Sequence, residues 1–474
     1  MSEKAQTSTT KRNLQQGAIV FSFAAATSLF FVYLNNVQPH YYIDEEFHVG
    51  QTQRYCEGRF LEWDKKITTL PGLYLVALLA LAPFGLCTIM LMRCVSLLGT
   101  FLNFYLVYKI VEATNYWNGE AKTEQKSWKL LGFAFAITLF PPLFFWFFLY
   151  YTDVVSVNLV LLTSLMHLRQ RYKSAAIAGA LSILVRQTNV VWVAVLAAER
   201  AVDLLEAQTP RSIEALVSRN IHNTPMHAKL VWNNVYHHVR QGWAPFGRFI
   251  VQLCSDLKSY VVVGAGFLLF LLWNRGIVVG DRSAHVATIH LPQVFYYSIF
   301  SMFFAWPYML PHWRSFFQWT RKRWVLSSAL FAIATVIVHS NTLVHPYLLA
   351  DNRHYVFYVW NRLMGRYYVL RYILIPLYGF AIYAHLACIK HLRYLSQIIY
   401  AFSVIIVIVP QLLLEPRYFI IPYTCLRLNM EKPSNWQLSA ELFTTIIVNC
   451  LQFYIFVTKV FYWTDREHPQ RISW

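Results

Sequence analysis

Charged side chains are scarce in this sequence. Asp, Glu, Lys and Arg together make up 14% of the 474 residues, whereas hydrophobic residues make up 57% of them. Soluble domains carry about 25% charged residues, so the composition excludes a soluble protein. Long apolar runs cross a membrane as helices, because a helix satisfies its own backbone hydrogen bonds in lipid. We therefore predict an all-α polytopic membrane protein.

Cysteine is also sparse, with seven residues scattered mostly through apolar runs. The sequence contains no Cys-x-x-Cys pair and no spacing typical of zinc ligands. This pattern excludes a disulfide-dense secreted domain, and we expect neither a disulfide framework nor a structural zinc site.

A cleavage signature of small residues is missing around the first apolar run, which covers 17–36. The residues before it are polar and carry Lys4, Lys11 and Arg12, and the run itself is as long as a membrane span. We therefore expect a retained signal anchor, with residues 1–16 as a cytoplasmic tail.

Negative charge is the rarer sign, since 23 Asp and Glu residues stand against 41 Lys and Arg, giving a formal net charge of +18. Such a surplus can indicate a nucleic-acid partner, but here the basic residues form short clusters between apolar runs. Clusters of this kind orient helices by the positive-inside rule. We predict no nucleic-acid partner and a cytoplasmic side marked by four clusters: Lys11 and Arg12; Arg169, Arg171 and Lys173; Arg314, Arg321, Lys322 and Arg323; Lys390, His391 and Arg393.

Apolar runs of about 20 residues, the length that crosses a bilayer, recur along the whole chain. Leu73–Ala82 is too short for a span and is predicted to be a re-entrant or interfacial helix. Counting 174–204 as two short helices gives about twelve spans, with both termini cytoplasmic. The predicted spans are 17–36, 87–110, 129–149, 153–168, 174–204, 258–275, 290–310, 324–343, 367–388, 395–413 and 438–461.

These spans divide the chain into five parts. They are the tail 1–16, an N-terminal transmembrane module 17–204 with a non-cytoplasmic loop 37–86, a cytoplasmic loop 205–257, a C-terminal transmembrane module 258–462 and a cytoplasmic tail 463–474.

Two predicted spans contain interruptions that point to a cavity. Pro141-Pro142 removes backbone donors and breaks a helix, and Arg186-Gln187-Thr188-Asn189 places polar groups between two apolar segments. Broken spans are tolerated where protein or a cavity lines them, and ionisable groups at membrane depth usually face such a cavity.

The hydrophilic stretch 205–257 is rich in His and Asn and shows no clear periodicity. We expect a partly disordered cytoplasmic loop. His227, His237 and His238 suggest a metal site, but no carboxylates or thiolates stand at ligand spacing beside them.

The loop after the first span concentrates negative charge. It holds six of the 23 acidic residues, interleaved with aromatic residues typical of the membrane interface. A solvated loop is the simpler interpretation, but carboxylates held among aromatics at headgroup depth are also placed for chemistry. The residues are Asp44, Glu45, Glu46, Glu57, Glu62 and Asp64, with Tyr41, Tyr42, Phe47, Tyr55, Phe60 and Trp63 between them.

Four polar clusters fall on the non-cytoplasmic side of this topology. The first can supply a general base, and the other three supply cations. Such a set suits transfer of a group to a hydroxyl from a donor with an anionic leaving group, for which a lipid-phosphate-linked sugar is the natural membrane substrate. The clusters are 44–48, 280–285, 345–354 and 415–418.

Several of these segments resemble one known family. They are YYIDEEFHVGQTQRYCEGRF, ITTLPGLYL, YYTDV, VRQTNVVW, GDRSAHVATIHLPQ, HPYLLADNRHYVFYVW and LEPRYFIIPY, in that order between about residues 41 and 424. They look like the endoplasmic-reticulum α-1,2-glucosyltransferases of lipid-linked oligosaccharide synthesis. The resemblance implies a GT-C fold, dolichyl-phosphate-glucose as donor, a diglucosylated lipid-linked oligosaccharide as acceptor and a lumenal active site in the endoplasmic-reticulum membrane.

The family pattern places Asp-Glu, an aliphatic residue and Phe-His at the start of the first lumenal loop. Asp44, Glu45, Phe47 and His48 match it, while Glu46 stands where an aliphatic residue is usual and is expected to point away from the site. Asp44 is the expected base, as in the related protein O-mannosyltransferases, and Glu45 is expected to orient the sugar or to assist.

Further site residues follow from the charges and the topology. For the donor we expect Arg353, His354 and Arg417, with Arg186, His285 and Asp351; for the acceptor we expect His48, Tyr42, Trp63 and Asp153. Asp44, Glu45 and Asp153 could hold a divalent metal, but the nearby cations can stabilise the leaving phosphate, so we predict no required cofactor or metal.

Two alternatives stay open from the residues alone. A related glucosyl- or mannosyltransferase using another dolichol-linked acceptor would have the same kind of site. A multi-pass transporter or channel-regulating subunit would not need convergent carboxylates and arginines, and the two halves show no matching pair of interrupted segments. The membrane and the two lipid-linked substrates are the expected partners.

Overall fold

A computed structural model describes residues 2–114, 123–208, 221–282 and 287–474. The helices within these ranges are α1 Ser2–Val37, α2 Glu45–Cys56, α3 Gly72–Leu81, α4 Ile89–Ala113, α5 Thr123–Thr138, α6 Pro141–Phe144, α7 Thr152–Leu168, α8 Tyr172–Val185, α9 Val190–Glu206, α10 Pro225–Arg240, α11 Trp243–Asp256, α12 Lys258–Asn274, α13 Pro292–Phe304, α14 Trp306–Met309, α15 Trp313–Lys322, α16 Trp324–Asn341, α17 Pro346–Ala350, α18 Tyr355–Val359, α19 Tyr368–Ile373, α20 Ile375–Cys388, α21 Tyr394–Ile408, α22 Ile420–Asn429 and α23 Asn435–Thr458.

Short elements complete the fold. Two strands, β1 Val460–Phe461 and β2 Gln470–Arg471, pair antiparallel, with Val460 opposite Arg471 and Phe461 opposite Gln470. Single-turn 3₁₀ helices cover Ala82–Phe84, Phe145–Phe148, Gln187–Asn189, Leu310–His312 and Pro416–Phe419, and Trp360–Met364 forms a π turn.

Five helical segments are long and apolar enough to cross a membrane, or seven if two bent pairs each count as one. The all-α polytopic class is therefore confirmed, while the remaining predicted spans correspond to shorter apolar helices such as α7, α8 and α21. The five segments are Arg12–Val37, Ile89–Ala113, Trp324–Asn341, Tyr368–Cys388 and Asn435–Thr458.

Both predicted interruptions are present. The chain bends by 62° between Ser127–Thr138 and Pro141–Phe148, and the carbonyl of Leu139 accepts a hydrogen bond from Asn449 Nδ2 at 2.7 Å. A side chain of another helix thus satisfies a carbonyl beside the break. At the second interruption α8 ends at Val185 and α9 begins at Val190, with a 3₁₀ turn between them.

The largest apolar core holds these breaks in place. Every residue from Phe140 to Tyr151 is buried, and their rings pack between α4, α7 and α23. Helices α4 and α7 approach closely at Gly99, where a Cβ atom would lie 2.3 Å from Val154 Cγ1. The segment that leads into α7 is therefore fixed from several sides, and its last residues, Tyr150 and Tyr151, contact the acidic loop.

The prediction for 205–257 is wrong in part. Residues 209–220 lie outside the described ranges, but α10 and α11 occupy most of 221–257. Each of these helices carries its apolar residues along one face. The many His and Asn residues give the stretch the composition of a loop, which is why the sequence did not predict the helices. An 89° bend separates Trp243–Asp256 from Lys258–Asn274, as expected where an interfacial helix leads into a span.

The expectation of no disulfide framework also needs correction, because Cys56 and Cys87 form a disulfide. Cys56 ends α2, and Cys87 lies two residues before α4. Because helices α2 and α3 pack against each other, they bring residues 31 apart in sequence to a Cα–Cα distance of 6.6 Å. No local motif announces such a pairing.

The predicted topology placed the tail 463–474 and the acidic loop on opposite sides of the membrane. The structure places them in contact. Ser473 Oγ lies 2.8 Å from the Tyr42 hydroxyl, and Arg471 donates to the carbonyl of Val37 at 2.9 Å. A bilayer core is about 30 Å thick, so residues in such contact lie on the same side. The two termini therefore lie at opposite ends of the helical bundle.

The cause is a short segment that the sequence analysis counted as part of a loop. Pro416–Phe419 and α22 run from Arg417, which contacts Asp44, to the turn at Glu431, which lies 3.9 Å from His391 of a predicted cytoplasmic cluster. The segment thus connects the two ends of the bundle although it is shorter than about 20 residues. Helix α23 then begins near the end of the bundle that holds His391 and leads back to the end that holds Asp44.

This arrangement predicts the accessibility of Asp465, an exposed residue of the tail. The test uses a protein in which the exposed Cys254 and Cys450 have been replaced. In sealed endoplasmic-reticulum vesicles, its Asp465→Cys variant should react with a membrane-impermeant maleimide only after the vesicles are opened. Tyr236→Cys on α10, which packs at the other end, should react without opening. Labelling of Asp465→Cys in sealed vesicles would contradict the placement of the tail beside the acidic loop.

Candidate active site

The acidic loop is folded back by hydrogen bonds from the end of the buried aromatic segment. The Tyr151 hydroxyl donates to the carbonyl of Tyr42 at 2.6 Å and accepts from the amide of Asp44 at 3.0 Å. Ile43 between them has a positive φ of 50°, an uncommon conformation that these bonds help to hold. The turn delivers Asp44 to the start of α2.

Glu45 is directed into the core, away from any substrate. It is fully buried and accepts hydrogen bonds from Arg93 Nε at 2.8 Å and Nη2 at 2.5 Å, and from the amides of Tyr42 at 3.0 Å and Tyr150 at 2.8 Å. Both carboxylate oxygens are thereby occupied. The expectation that Glu45 orients the sugar does not fit these contacts, and its role is to fix the loop.

Asp44 points the other way and keeps 42% of its side chain exposed. Arg417 Nη2 lies 3.3 Å from its Oδ2. Burial raises the pKa of Asp44, but the charge of Arg417 and the hydrogen bond from Arg417 outweigh it, so that the pKa lies below its usual value. Asp44 is therefore an ionised carboxylate that a second molecule can reach.

Arg417 is the central cation of the site. Its Nε bonds to Glu415, and its Nη1 lies 3.9 Å from Asp153 Oδ2, which is too long for a hydrogen bond. The guanidinium lies over the rings of Trp146 and Tyr151, with centroid distances of 5.0 and 5.3 Å. Carboxylates and aromatic faces together fix its orientation. Arg417 thus pairs with Glu415 beside it in the chain and also contacts Asp44 of the acidic loop.

Arg186 joins the same cluster through Asp153. Its Nη1 and Nη2 lie 3.0 Å from the two Asp153 oxygens, and its Nε donates to the Thr152 hydroxyl at 3.0 Å. Asp153 was expected to contact the acceptor. It is buried, however, and it positions the two arginines instead. The interruption after α8 thus brings Arg186 into contact with the start of α7.

Asp351, Arg353 and His354 form the next part of the wall. Arg353 Nε and Nη2 donate to the two Asp351 oxygens at 2.8 and 2.6 Å, while His354 Nε2 lies 3.8 Å from Asp351 Oδ2. Burial raises the pKa of Asp351, but hydrogen bonds and charge from Arg353 and His354 lower it overall. Ser473 connects this cluster to the loop of Asp44, because its amide donates to the carbonyl of Arg353 at 2.8 Å and its Oγ lies 2.8 Å from the Tyr42 hydroxyl.

The predicted acceptor residues are divided by the structure. His48 is buried with its Nδ1 2.8 Å from the Tyr74 hydroxyl, and burial lowers its pKa to about 4, so the ring is neutral at physiological pH. Tyr42 is buried under the 460–474 segment, so it is not placed to contact a sugar, and Trp63 is partly buried against the apolar cluster of the loop. His285 lies outside the described residues.

Sequence reasoning missed Arg93 and the 460–474 segment. A single arginine inside the apolar run 87–110 was the available signal, because a charge at that depth needs a partner. Nothing comparable marked Arg471, Ser473 or Trp474. As for metals, no group of three or more His, Cys, Asp or Glu side chains within the described ranges is arranged to hold an ion; Asp44, Glu45 and Asp153 each contact an arginine.

The model of the DIE2/ALG10 family matches residues 38–428, which include Asp44, Arg186, Arg353 and Arg417. The chain belongs to the DIE2/ALG10 family. The resemblance inferred from the sequence segments is thereby confirmed, and the matched range contains every predicted site residue.

Relatives in three organisms carry one name, Dol-P-Glc:Glc(2)Man(9)GlcNAc(2)-PP-Dol alpha-1,2-glucosyltransferase. The protein of Drosophila melanogaster is 37% identical over 446 residues, which cover 93% of this chain and 95% of the relative. A human protein is 35% identical over 447 residues, with 91% and 93% covered. The protein of Arabidopsis thaliana is 30% identical over 519 residues, with 95% and 99% covered. No solved structure matches the chain.

Proposed function

We propose that this protein transfers glucose from dolichyl-phosphate-glucose to the lipid-linked oligosaccharide Glc(2)Man(9)GlcNAc(2)-PP-Dol, forming an α-1,2 linkage in the final step of N-glycan precursor assembly. The relatives are named for this reaction. The observation that carries the proposal is an ionised, partly exposed carboxylate, Asp44, facing Arg417 at one end of a helical membrane protein.

In the proposed step Asp44 accepts the proton of the acceptor hydroxyl. The hydroxyl oxygen forms a bond to C1 of the glucose as the bond from C1 to the phosphate oxygen breaks, and the electron pair leaves with dolichyl phosphate. The donor glucose is β-linked and the product α-linked, so one in-line displacement inverts the centre and no enzyme nucleophile is required. This matches a site with one exposed base.

Arg417 links donor binding to the strength of the base. With Asp44 paired to Arg417, the pKa of Asp44 is low and the carboxylate is a weak base. A donor phosphate that accepts hydrogen bonds from Arg417, through Nη1 first, weakens that pairing and adds negative charge nearby. Both effects raise the pKa of Asp44, so that the base becomes stronger when the donor is bound.

Arg417→Ala is expected to lower kcat/KM for dolichyl-phosphate-glucose about 10- to 100-fold, the value of a charge-assisted hydrogen bond to a buried phosphate. Arg466→Ala is the matched control, because Arg466 lies at the same end of the bundle in an exposed pair with Glu46 at 3.2 Å. Folded yield is compared by size-exclusion chromatography. Unchanged donor kinetics in folded Arg417→Ala protein would remove Arg417 from the site.

The membrane arrangement proposed here is a GT-C fold in the endoplasmic-reticulum membrane with the Asp44 loop in the lumen. The Cys56–Cys87 disulfide supports that side, because disulfides persist in oxidising compartments. With 416–429 added to the twelve predicted spans, the chain would cross thirteen times, placing residues 1–16 in the cytoplasm and 463–474 in the lumen. The modules 17–204 and 258–462 would then be joined by the cytoplasmic segment 205–257.

We propose no metal or cofactor beyond the donor itself, with Arg417 and Arg186 neutralising the leaving phosphate. Arg353 and His354 lie on the same side and would contact the donor as well, with Asp351 holding Arg353 in place. The substrates and the bilayer are the proposed partners. A transferase for another dolichol-linked acceptor would use the same residues, so the acceptor must be tested directly.

The decisive assay uses purified protein with dolichyl-phosphate-glucose and acceptors that carry one, two or three glucose residues. The proposal predicts addition of a single glucose to the acceptor with two glucoses and no transfer to the others. Preferred transfer to a different acceptor would identify the protein as a related glucosyltransferase. Absence of transfer with all three, by folded protein, would overturn the proposal.

A further inference from the structure

The 460–474 segment, which lies beyond the matched family range, is built into the wall of the site. Its anchor is Arg471, which is 7% exposed and donates to the carbonyls of Val37, Phe456 and Val457 at 2.9 Å each and to Gln38 Oε1 at 3.0 Å. These contacts tie the segment to the ends of α1 and α23. A buried arginine with four partners fixes the chain direction at this point.

Beyond the anchor, the segment pairs with the loop that carries Arg353 and His354. The amide of Ser473 donates to the carbonyl of Arg353 at 2.8 Å, and the amide of Tyr355 donates to the carbonyl of Ser473 at 3.0 Å. His354 Nδ1 lies 2.7 Å from a main-chain oxygen of Trp474. Since a main-chain oxygen can only accept, Nδ1–H of His354 donates to it, and Nε2 on the other side of the ring lies 3.8 Å from Asp351 Oδ2.

The same segment also contacts the loop of the base. The Tyr42 hydroxyl lies 2.8 Å from Ser473 Oγ and 3.1 Å from the carbonyl of Arg471, and Tyr42 stands two residues before Asp44. On the other side Trp463 donates through Nε1 to Asn352 at 3.0 Å, and its ring lies 4.5 Å from the Arg353 guanidinium. One stretch of chain therefore touches both the base loop and the cation loop.

We propose that the 460–474 segment is a positioning element that fixes Arg353 and His354 relative to Asp44 for donor binding. The inference rests on the proposed function, since it assigns the segment to the site of dolichyl-phosphate-glucose. Neither Arg353 nor His354 lies within a long helix. His354 is the N-cap residue of the short α18, and Arg353 comes directly before it. Their backbone is instead held by the pairing with Ser473.

Ser473→Pro tests this directly, because proline has no amide to donate to Arg353. We expect KM for dolichyl-phosphate-glucose to rise about 10-fold, with KM for the acceptor unchanged, as expected for loss of one to two hydrogen bonds that hold a binding loop. Ser473→Ala keeps the main-chain bonds and leaves the Tyr42 hydroxyl its contact with Arg471. Its donor KM should stay within about twofold of the wild type.

Trp463→Leu provides the second test, which also decides the matter if Ser473→Pro does not fold. Loss of the stacking on Arg353 should raise the donor KM about fivefold, while Tyr462→Leu, at the exposed neighbouring ring, should leave it unchanged. A merely structural segment would reduce the active fraction and hence kcat, without separating the KM of donor from that of acceptor.

The outcomes are distinct. Raised donor KM in folded Ser473→Pro or Trp463→Leu protein supports the inference. An unchanged donor KM in both variants, or in Trp463→Leu protein alone where Ser473→Pro does not fold, overturns it and leaves the proposed function intact, provided that the wild type is active. Wild-type protein that does not transfer glucose from dolichyl-phosphate-glucose overturns the proposed function and this inference with it.

Discussion

Replacing Asp44 with Asn is expected to lower turnover about 10²- to 10⁴-fold, the usual contribution of a positioned general base. The amide has the shape of the carboxylate and can still accept from Arg417, so folding and donor KM should change little. Turnover with saturating donor and acceptor, measured on purified protein, reports the loss. Full turnover in the Asn variant would show that the base lies elsewhere.

Glu46→Gln is the matched control for this substitution. Glu46 lies two residues further along in the same loop, but its side chain is 45% exposed and pairs with the exposed Arg466. We expect turnover within about twofold of the wild type, because exposed ion pairs contribute little. Glu46 stands where the family usually has an aliphatic residue. The variant therefore also tests the expectation that its carboxylate points away from the site.

The pH dependence follows from the lowered pKa of Asp44. A base whose pKa is depressed stays ionised until the pH falls through that depressed value, so kcat/KM should show no loss due to Asp44 between about pH 8 and 5. With donor bound, the proposed loss of pairing to Arg417 raises the pKa. The acid limb of kcat should therefore lie at higher pH than that of kcat/KM.

The second large effect is expected on folding. Arg93→Met leaves the Glu45 carboxylate buried without its cation, and removing one partner of a buried pair costs about 3–5 kcal/mol. We expect a strong loss of folded protein and a lower midpoint of thermal unfolding in detergent. Lys109→Met on the same helix removes an exposed partner of Glu112 and should have little effect.

A double variant separates the pair from the shape of the site. Adding Glu45→Gln to Arg93→Met removes the buried charge and should recover part of the lost stability, since a neutral pair avoids the cost of desolvation. Equal stability of Arg93→Met and wild type would contradict the view that this pair fixes the acidic loop.

The parts of the account that sequence could predict are those with a local signal. Apolar runs and low charge predicted the helical membrane class, and the two prolines at 141–142 predicted a bend. Each depends on residues close together in the chain. The interruption at Arg186, between two apolar segments, could be predicted for the same reason.

What the sequence did not predict depends on contacts between distant segments. Asp44 and Glu45 are adjacent and chemically alike, but only the position of Arg93, 48 residues after Glu45, turns one into the core and leaves the other exposed. The Cys56–Cys87 pairing, the short passage at 416–429 and the approach of Ser473 to Tyr42 are of the same kind. Tertiary packing decided each of them, and no local pattern carries that information.

The central claim is a single inverting displacement by the acceptor hydroxyl, with one partly exposed carboxylate as its base, and the stereochemistry of the product tests it most directly. The glucose transferred by the wild-type protein from β-linked dolichyl-phosphate-glucose is released from the lipid with its oligosaccharide and examined by nuclear magnetic resonance. The account predicts an α-1,2-linked terminal glucose, formed at a rate that Asp44→Asn lowers without altering the linkage. A β-linked product would mean retention through a covalent intermediate or two displacements, and would contradict the mechanism proposed for this site.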